Sequence, residues 1–282
     1  MKTTITRTWT RNGLSISIVV FRPDRARLLT TLHTLGEACE RLRAVRPDDQ
    51  IELFLVDNDG LGDVLPEIVE SLVKRGIVCR TLSGHGNVGY GRGHNLAIER
   101  TASRLHLVLN PDIELDPQAL VAAHEFFESY PDAGLLAPWV GDAEGHQQYL
   151  CRRYPSVLTL FVRGFVPAVM RSRFEAYIAH YEMRDQINAR EVIWDPDIVS
   201  GCFMLFRTDV LKRLGGFDPR YFLYFEDYDL SLRTHEVSRV AYVPSVRVVH
   251  HGGGASRKGG AHVRMFIASA FRFFNRFGWR WW

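Results

Sequence analysis

The sequence predicts an α/β fold: a mostly parallel central sheet with helices on both faces. Two observations carry this. From Ser15 to about Pro138, short β-rich apolar runs alternate with stretches whose apolar residues recur at helical spacing. No internal repeat or low-complexity linker interrupts the chain, so one continuous domain with a C-terminal extension is expected. Ile16-Ser17-Ile18-Val19-Val20-Phe21 reads as the first strand, and Leu28, Leu32, Leu35, Cys39 and Leu42 mark the helix after it. Ile51 to Val56 is the second strand, followed by a helix near Val64 to Lys74 with Val64, Ile68 and Leu72 on one face. Ile77 to Leu82 is the third. A glycine-rich loop and a short helix, about Gly93 to Thr101, lead to the fourth, Leu105 to Leu109. Asp116-Pro117 then opens a helix, with Asp as N-cap and Pro in the first turn.

The second half reads differently. Residues 139 to 195 are irregular and rich in Arg and aromatics, with a helical middle near Leu158 to Tyr181. Val199 to Phe206 is a strand, and Asp209 to Leu214 a helix ending in Gly215-Gly216. The acidic segment Tyr224-Phe225-Glu226-Asp227-Tyr228-Asp229 follows, then strands near Val240 to Val243 and Arg247 to Val249.

With 46% hydrophobic and 24% charged residues in 282, the composition is that of a globular protein. A net charge of +3 gives no reason to expect nucleic acid as a partner. Of the 35 basic residues only Lys2, Lys74, Lys212 and Lys258 are lysines; arginine's forked donors suit phosphate and carboxylate, though codon bias gives the same excess. The four cysteines form no CxxC pair, which disfavours zinc and redox dithiols and fits a reducing, cytoplasmic setting. The first apolar run is too short for a signal peptide, and Val157 to Met170 is broken by Arg163, Gly164 and Pro167, so no membrane span is expected.

In open parallel sheets ligands bind beyond the carboxyl ends of the strands. That rule selects Arg22-Pro23-Asp24, Asp57-Asn58-Asp59-Gly60 and Asn110-Pro111-Asp112, each polar or charged. Further constellations follow in chain order. Gly86-Asn87-Val88-Gly89-Tyr90-Gly91-Arg92-Gly93-His94-Asn95 is rich in glycine, which lets a backbone approach a phosphate or sugar closely. Glu226-Asp227 sits among Tyr221, Phe222, Tyr224, Phe225 and Tyr228, and carboxylates among rings are costly to bury without a purpose. Val248-Val249-His250-His251-Gly252-Gly253 ends a strand.

Taken together and in this order, these motifs closely resemble family 2 of the inverting glycosyltransferases, in particular its bacterial rhamnosyltransferase-like branch, over roughly residues 15 to 280. The resemblance implies a GT-A fold with a Rossmann-like sheet, a nucleotide-diphosphate sugar as donor, a glycan or lipid-linked glycan as acceptor, and Mg²⁺ or Mn²⁺. It implies a glycosyltransferase domain over residues 1–260, with the donor half at about 15–138 and the acceptor half at about 139–260, followed by an amphipathic helix and aromatic tail at 261–282. Asp112 matches the metal-binding aspartate, the family's DxD being spelled Asn110-Pro111-Asp112 with a single acid. Asn-Pro-Asp is also ordinary turn chemistry.

Asp57, assisted by Asp59, matches the contact to base or ribose. Arg22 stands where the family commonly has a Thr-Tyr-Asn-like run and could reach base or phosphate. Asn87, Gly91, Arg92, Asn95 and Asn110 match the donor-binding side, and Trp194, Ser200 and Gly201 the acceptor-side wall. Asp227 matches the catalytic base that takes the acceptor's proton, with Glu226 positioning acceptor or base. His250 matches a late histidine that completes the metal site or touches the diphosphate. Adjacent histidines on a strand point to opposite faces, so His251 is expected to be structural.

dTDP-L-rhamnose is the expected donor. UDP-galactose, UDP-glucose and a non-catalytic glycan-binding protein of the same fold are the alternatives. Val263, Phe266, Ile267, Ala270, Phe271 and Phe274 form an apolar stripe beside Arg264, Arg272 and Arg276. Such a stripe suits peripheral contact with the inner face of the cell membrane or docking on the core equally well.

Overall fold

The computed structural model describes residues 12–62, 66–252 and 259–282. Chain order is β1 (Leu14–Phe21), α1 (Arg25–Val45), β2 (Ile51–Asp59), α2 (Pro66–Lys74), β3 (Ile77–Leu82), α3 (Tyr90–Ile98), β4 (Leu105–Leu109), β5 (Ile113–Leu115), α4 (Ala119–Ser129) and β6 (Ala133–Gly141). It continues with β7 (Cys151–Arg152), α5 (Val157–Phe165), α6 (Ala168–Arg171), a 3-10 turn, α7 (Glu175–Tyr181), β8 (Ile193–Trp194), β9 (Ile198–Val199) and β10 (Phe203–Arg207). The chain closes with α8 (Thr208–Arg213), α9 (Glu226–Thr234), β11 (Arg239–His250) and α10 (Gly259–Phe277). The expected Val64 of the second helix lies outside the described residues.

The main sheet has the order β3-β2-β1-β4-β10-β6-β11-β5, with β8 paired to β11. The pairs β1–β2, β2–β3, β1–β4 and β6–β11 are parallel, while β10 runs antiparallel to both its neighbours. Even-numbered side chains of β1 (Ile16, Ile18, Val20) join Leu28, Leu32 and Leu35 of α1 in the larger core. Val108, Met204 and Phe206 point to the other face, where Ile98 of α3, Leu211 of α8 and Leu230 of α9 cover them.

That second face also buries polar groups of β1, and their partners fix α3. Ser17 Oγ lies 2.7 Å from His94 Nδ1 and 2.9 Å from His106 Nε2, and Ser15 Oγ lies 2.7 Å from His106 Nδ1. Burial drives His106 down to about 3 and His94 well below the usual histidine range, so both rings are neutral and act as hydrogen-bond partners only.

Several sequence expectations are corrected. The short helix begins at Tyr90 and ends at Ile98, so Gly91 and Gly93 lie inside it. An added Cβ at Gly91 would stand 2.8 Å from Phe217 Cβ, and one at Gly93 2.8 Å from a Val19 methyl. These glycines serve close helix packing. The helix expected at Asp116 starts at Ala119, with Asp116 Oδ1 accepting from Gln118 N at 2.8 Å. The irregular region opens inside β6, and its helical middle is broken at Pro167 into α5, α6 and α7. The run Val199 to Phe206 divides into β9 and β10 around a turn at 200–202, and the last two expected strands are one strand with a register shift between Val243 and Arg247. Among the described residues no helix is long and apolar enough to cross a membrane.

Candidate active site

Because β1, β2, β4 and β11 run in one direction, their carboxyl ends share one edge of the sheet. β10 runs the other way, with Phe203 opposite Leu109, so its beginning comes to the same edge. The topology thereby gathers the residues after Phe21, at Asp57, after Leu109, at 200–202 and at His250.

At the β2 end, Asp57 Oδ1 accepts from Leu61 N at 3.2 Å, and Arg22 Nε pairs with Asp59 Oδ2 at 3.0 Å on the surface. Arg22 itself has φ 44. The neighbouring Asn58, 3% exposed, ties this strand end to the glycine stretch: its Nδ2 donates to Gly89 O at 3.0 Å and to Asn87 Oδ1 at 3.3 Å. Asn87 Oδ1 also accepts from Gly89 N at 3.0 Å. Gly89, at φ 90, has no room for a Cβ because Phe222 O stands in its place. Asn95 is committed inside the protein, its amide donating to Phe217 O at 2.8 Å and accepting from Phe217 N at 2.9 Å. Arg92 Nε donates to Pro219 O at 2.5 Å. Gly91, Arg92 and Asn95 thus hold α3 against the 217–219 segment, next to the strand ends.

Glu226 and Asp227 form the first turn of α9, preceded by Tyr224 and Phe225 at φ 71 and 66. Two consecutive bulky residues in the left-handed region are strained, and such strain collects at functional sites. The pair is asymmetric. Asp227 Oδ2 accepts from Gly201 N and Oδ1 from Tyr228 N, both at 3.0 Å. Glu226 is 5% exposed and its Oε2 has no hydrogen-bond partner. Burial and then the charge of Asp227 push Glu226 up to about 8. Burial raises Asp227 too, opposed by the Gly201 N–H, the Arg152 guanidinium and the Tyr228 N–H, and the net direction is upward from its ordinary value. The geometry favours the charge on Asp227, which accepts two backbone N–H groups, over Glu226, whose Oε2 accepts none.

The acids line a cavity of about 650 Å³, together with Arg152, Arg163, Arg171 and Arg184. Arg152 lies over the rings of Tyr181 and Tyr228, 5.9 Å from each centroid, and donates to Tyr228 Oη at 2.7 Å. Asp229, fully buried two residues on, turns away to Arg233 at 2.6 Å and Arg276 at 2.7 Å and links α9 to α10.

Asp112 joins this site through Tyr90 and the 200–202 turn. Tyr90 Oη donates to Gly201 O at 2.5 Å, and Asn110 N to Cys202 O at 2.9 Å. Burial pushes the Tyr90 hydroxyl well up, and the charges of Glu226, Asp227 and Asp112 add to it. His250 Nε2 lies 3.5 Å from Asp112 Oδ1, a buried oxygen with no hydrogen-bond partner. Gly252 beside them has no room for a Cβ, which would strike His250 Nε2 and stand 2.6 Å from Asp112 Oδ2. An unsatisfied carboxylate oxygen next to an imidazole nitrogen, in a cradle kept open by glycine, is a donor set that fits a divalent cation. His251 instead places Nε2 2.7 Å from Glu114 Oε1. Asp142, Glu144 and His146 also come within 4.8 Å of one another, but in the turn after β6, where Asp142 Oδ1 accepts from Glu144 N and His146 N at 3.0 and 2.7 Å.

Trp194 is not brought to this edge. It pairs with Ala241 near the start of β11, packs on Phe126 and Tyr130, and lies under Arg239, 4.2 Å from the ring centroid. It belongs to the opposite end of the sheet. Arg152, Cys202 and His262 are site neighbours that motif reading missed, with no local pattern to mark them, and Tyr90 stood inside the glycine-rich motif without being assigned a role. The apolar stripe of α10 is divided: Phe274 is 2% exposed in the cluster with Phe225 and Tyr228, which also takes in Phe273 from outside the stripe, while Phe271 is 56% exposed.

A mixed sheet with polar strand ends gathered on one edge and an acid pair facing a cavity is the architecture of a GT-A-like fold. Residues 16–215 match glycosyl transferase family 2, and the chain belongs to that family. It is 31% identical over 220 residues to an N-acetylglucosaminyl-diphospho-decaprenol L-rhamnosyltransferase of Mycobacterium tuberculosis, covering 71% of this chain and 66% of that protein, just under two thirds of its length. It is 28% identical over 201 residues to rhamnosyltransferase WbbL of Escherichia coli, covering 68% of this chain and 72% of that protein. The fold is similar to that of GalNAc-T7 solved with UDP, GalNAc and Mn²⁺, with a TM-score of 0.60 and 13% identity, over 85% of this chain and 43% of that one.

Proposed function

We propose that the protein transfers L-rhamnose from dTDP-L-rhamnose to a hydroxyl of a glycan carried on a lipid through a diphosphate, with inversion at the anomeric carbon. The observation that carries the reading is the asymmetric Glu226-Asp227 pair at the cavity, on the same sheet edge as Asp112 and His250. The names of the Mycobacterium and Escherichia relatives support rhamnose, and the former supports a diphosphate-linked lipid acceptor.

Residues 15–138 serve as the donor half and 139–260 as the acceptor half of one catalytic domain, with 261–282 as an extension. Asp57 with Asp59, Arg22, Asn87 and Asn110 lines the nucleotide side, while Ser200 and Gly201 wall the acceptor side. Asp227 takes the acceptor's hydroxyl proton as its oxygen bonds to the anomeric carbon and the bond to the diphosphate breaks, releasing the nucleoside diphosphate. Gly201 N–H and Tyr228 N–H hold the carboxylate in place for this, and protonated Glu226 keeps a second negative charge away from it. Asp112 with His250 would hold Mg²⁺ or Mn²⁺, whose charge offsets that of the departing diphosphate. The site of action is the cytoplasmic face of the membrane.

The test offers the protein dTDP-L-rhamnose, UDP-galactose and UDP-glucose with Mn²⁺ and a lipid-diphosphate glycan. Release of dTDP with rhamnose found on the acceptor is the expected result. Preference for a UDP-sugar overturns the donor assignment, and binding without turnover of any donor points to a glycan-binding protein.

A further inference from the structure

The cavity above Asp227 opens onto a surface that sugar transfer itself does not require. On one side, α5 and α6 leave Phe161, Phe165, Val169 and Met170 between 51% and 90% exposed, and the two phenylalanine rings stack 5.8 Å apart. On the other, α10 brings Val263, 39% exposed, and Phe266 to the cavity wall. The two sides are one body. Val157 N donates to Arg280 O at 2.8 Å and Leu158 N to Trp281 O at 3.1 Å, stitching the first turn of α5 to the tail after α10. A concentrated exposed apolar area of this kind marks an interaction surface.

Just inside the rim lie three arginines. Arg163 faces Glu182 at 3.7 Å, and Arg184 faces Glu175 and Glu182 at 2.6 Å each. Arg171 differs. Its Nε donates to Val166 O at 2.8 Å, and among the described residues no carboxylate pairs with it. A guanidinium without a carboxylate partner, set between an apolar rim and a catalytic base, complements a diphosphate that joins a hydrocarbon chain to a sugar.

We propose that this mouth is the lipid-diphosphate subsite of the acceptor. Arg171, flanked by Arg163 and Arg184, holds the diphosphate. The rim of α5, α6 and α10 lies against the hydrocarbon, and the sugar hydroxyl reaches inward to Asp227. This rests on the glycosyltransferase reading above and assigns its acceptor end to particular residues.

The test titrates the full chain with farnesyl diphosphate, inorganic diphosphate and farnesol, each with and without saturating dTDP and Mn²⁺. Farnesyl diphosphate is expected to bind at least about 10-fold more tightly than either fragment and to resist displacement by dTDP. Arg171→Gln should weaken it by about 10-fold, the scale of a charge-assisted hydrogen bond. Phe165→Ser with Met170→Ser should bring it down to the level of inorganic diphosphate. All these side chains are at the surface or the mouth, and unchanged dTDP binding reports that the variants are folded. Displacement by dTDP, or equal affinity in wild type and variants, overturns the subsite. If dTDP binds and farnesyl diphosphate does not, the subsite alone falls; if wild type binds neither, the transferase reading falls with it.

Discussion

Glu226→Gln separates a protonated glutamate from an ionised one without changing the side chain's shape. Glu226 titrates near 4.5 in an unfolded chain and near 8 in the fold, because burial and the charge of Asp227 both disfavour its ionised form. Between those values the native state keeps a proton that the unfolded state has released. The stability it contributes is therefore complete below about pH 4.5 and is lost as pH rises towards 8. At about 1.4 kcal/mol per pH unit, that interval amounts to a few kcal/mol.

Glutamine stays neutral and escapes the loss. Guanidinium unfolding of both proteins from pH 5 to 9 should give similar stability at pH 5 and a gap that widens in the variant's favour up to about pH 8, then levels off. In an Asp227→Asn background the gap should narrow, since the second source of the upward shift has gone. Parallel stability curves across the whole range would show that Glu226 is ionised throughout, and the division of roles between the two acids would fail with it.

Asp227→Asn should lower transfer by roughly 10²–10⁴-fold, the usual worth of a general base, with dTDP affinity nearly unchanged by calorimetry. Asp229→Asn should keep turnover in the folded fraction while lowering the unfolding midpoint, because it weakens the buried pair with Arg233 and the link to Arg276. Asp112→Ala should remove the dependence of transfer on Mn²⁺ together with the activity, leaving far-UV circular dichroism intact; full activity of wild type in chelator would exclude a metal. Phe274→Ala should cost about 3–5 kcal/mol in denaturant unfolding as a core cavity, whereas exposed Phe271→Ser should stay within about 0.5 kcal/mol.

The strands that local sequence revealed best are those whose environment is simplest. All five residues of β4 are buried, and Leu105 to Leu109, apolar but for His106, is found with its true bounds, as is β3. Where contacts distant in sequence set the backbone, local reading failed. Gly91 has poor helix propensity and read as loop, with Gly93 at the expected start of the helix, yet both are inside it because only glycine lets α3 approach Phe217 and Val19 so closely. Val199 to Phe206 carries no charge to mark a break. The turn inside it is held by Asp227, 26 residues further on. Trp194 was misplaced for the converse reason: it is near Ser200 and Gly201 in the chain, but the chain crosses from one end of the sheet to the other between them.

That reversal is also what makes the active edge. A sheet of parallel strands alone would gather carboxyl ends but would bring no strand's beginning beside them. Antiparallel β10 starts where β4 ends, so Cys202 O receives Asn110 N from the Asp112 loop, and one residue earlier Gly201 N reaches Asp227. Tyr90 from α3 closes the junction on Gly201 O. A single turn therefore couples the loop that carries Asp112, the glycine stretch and the acid pair. This turn stands between the loop that carries Asp112 and the acid pair and is bonded to both. Glycine at 201 fits that role: an added Cβ would stand 3.2 Å from Asp227 Cβ and 3.4 Å from the Tyr90 ring, pressing on the base and on the junction at once.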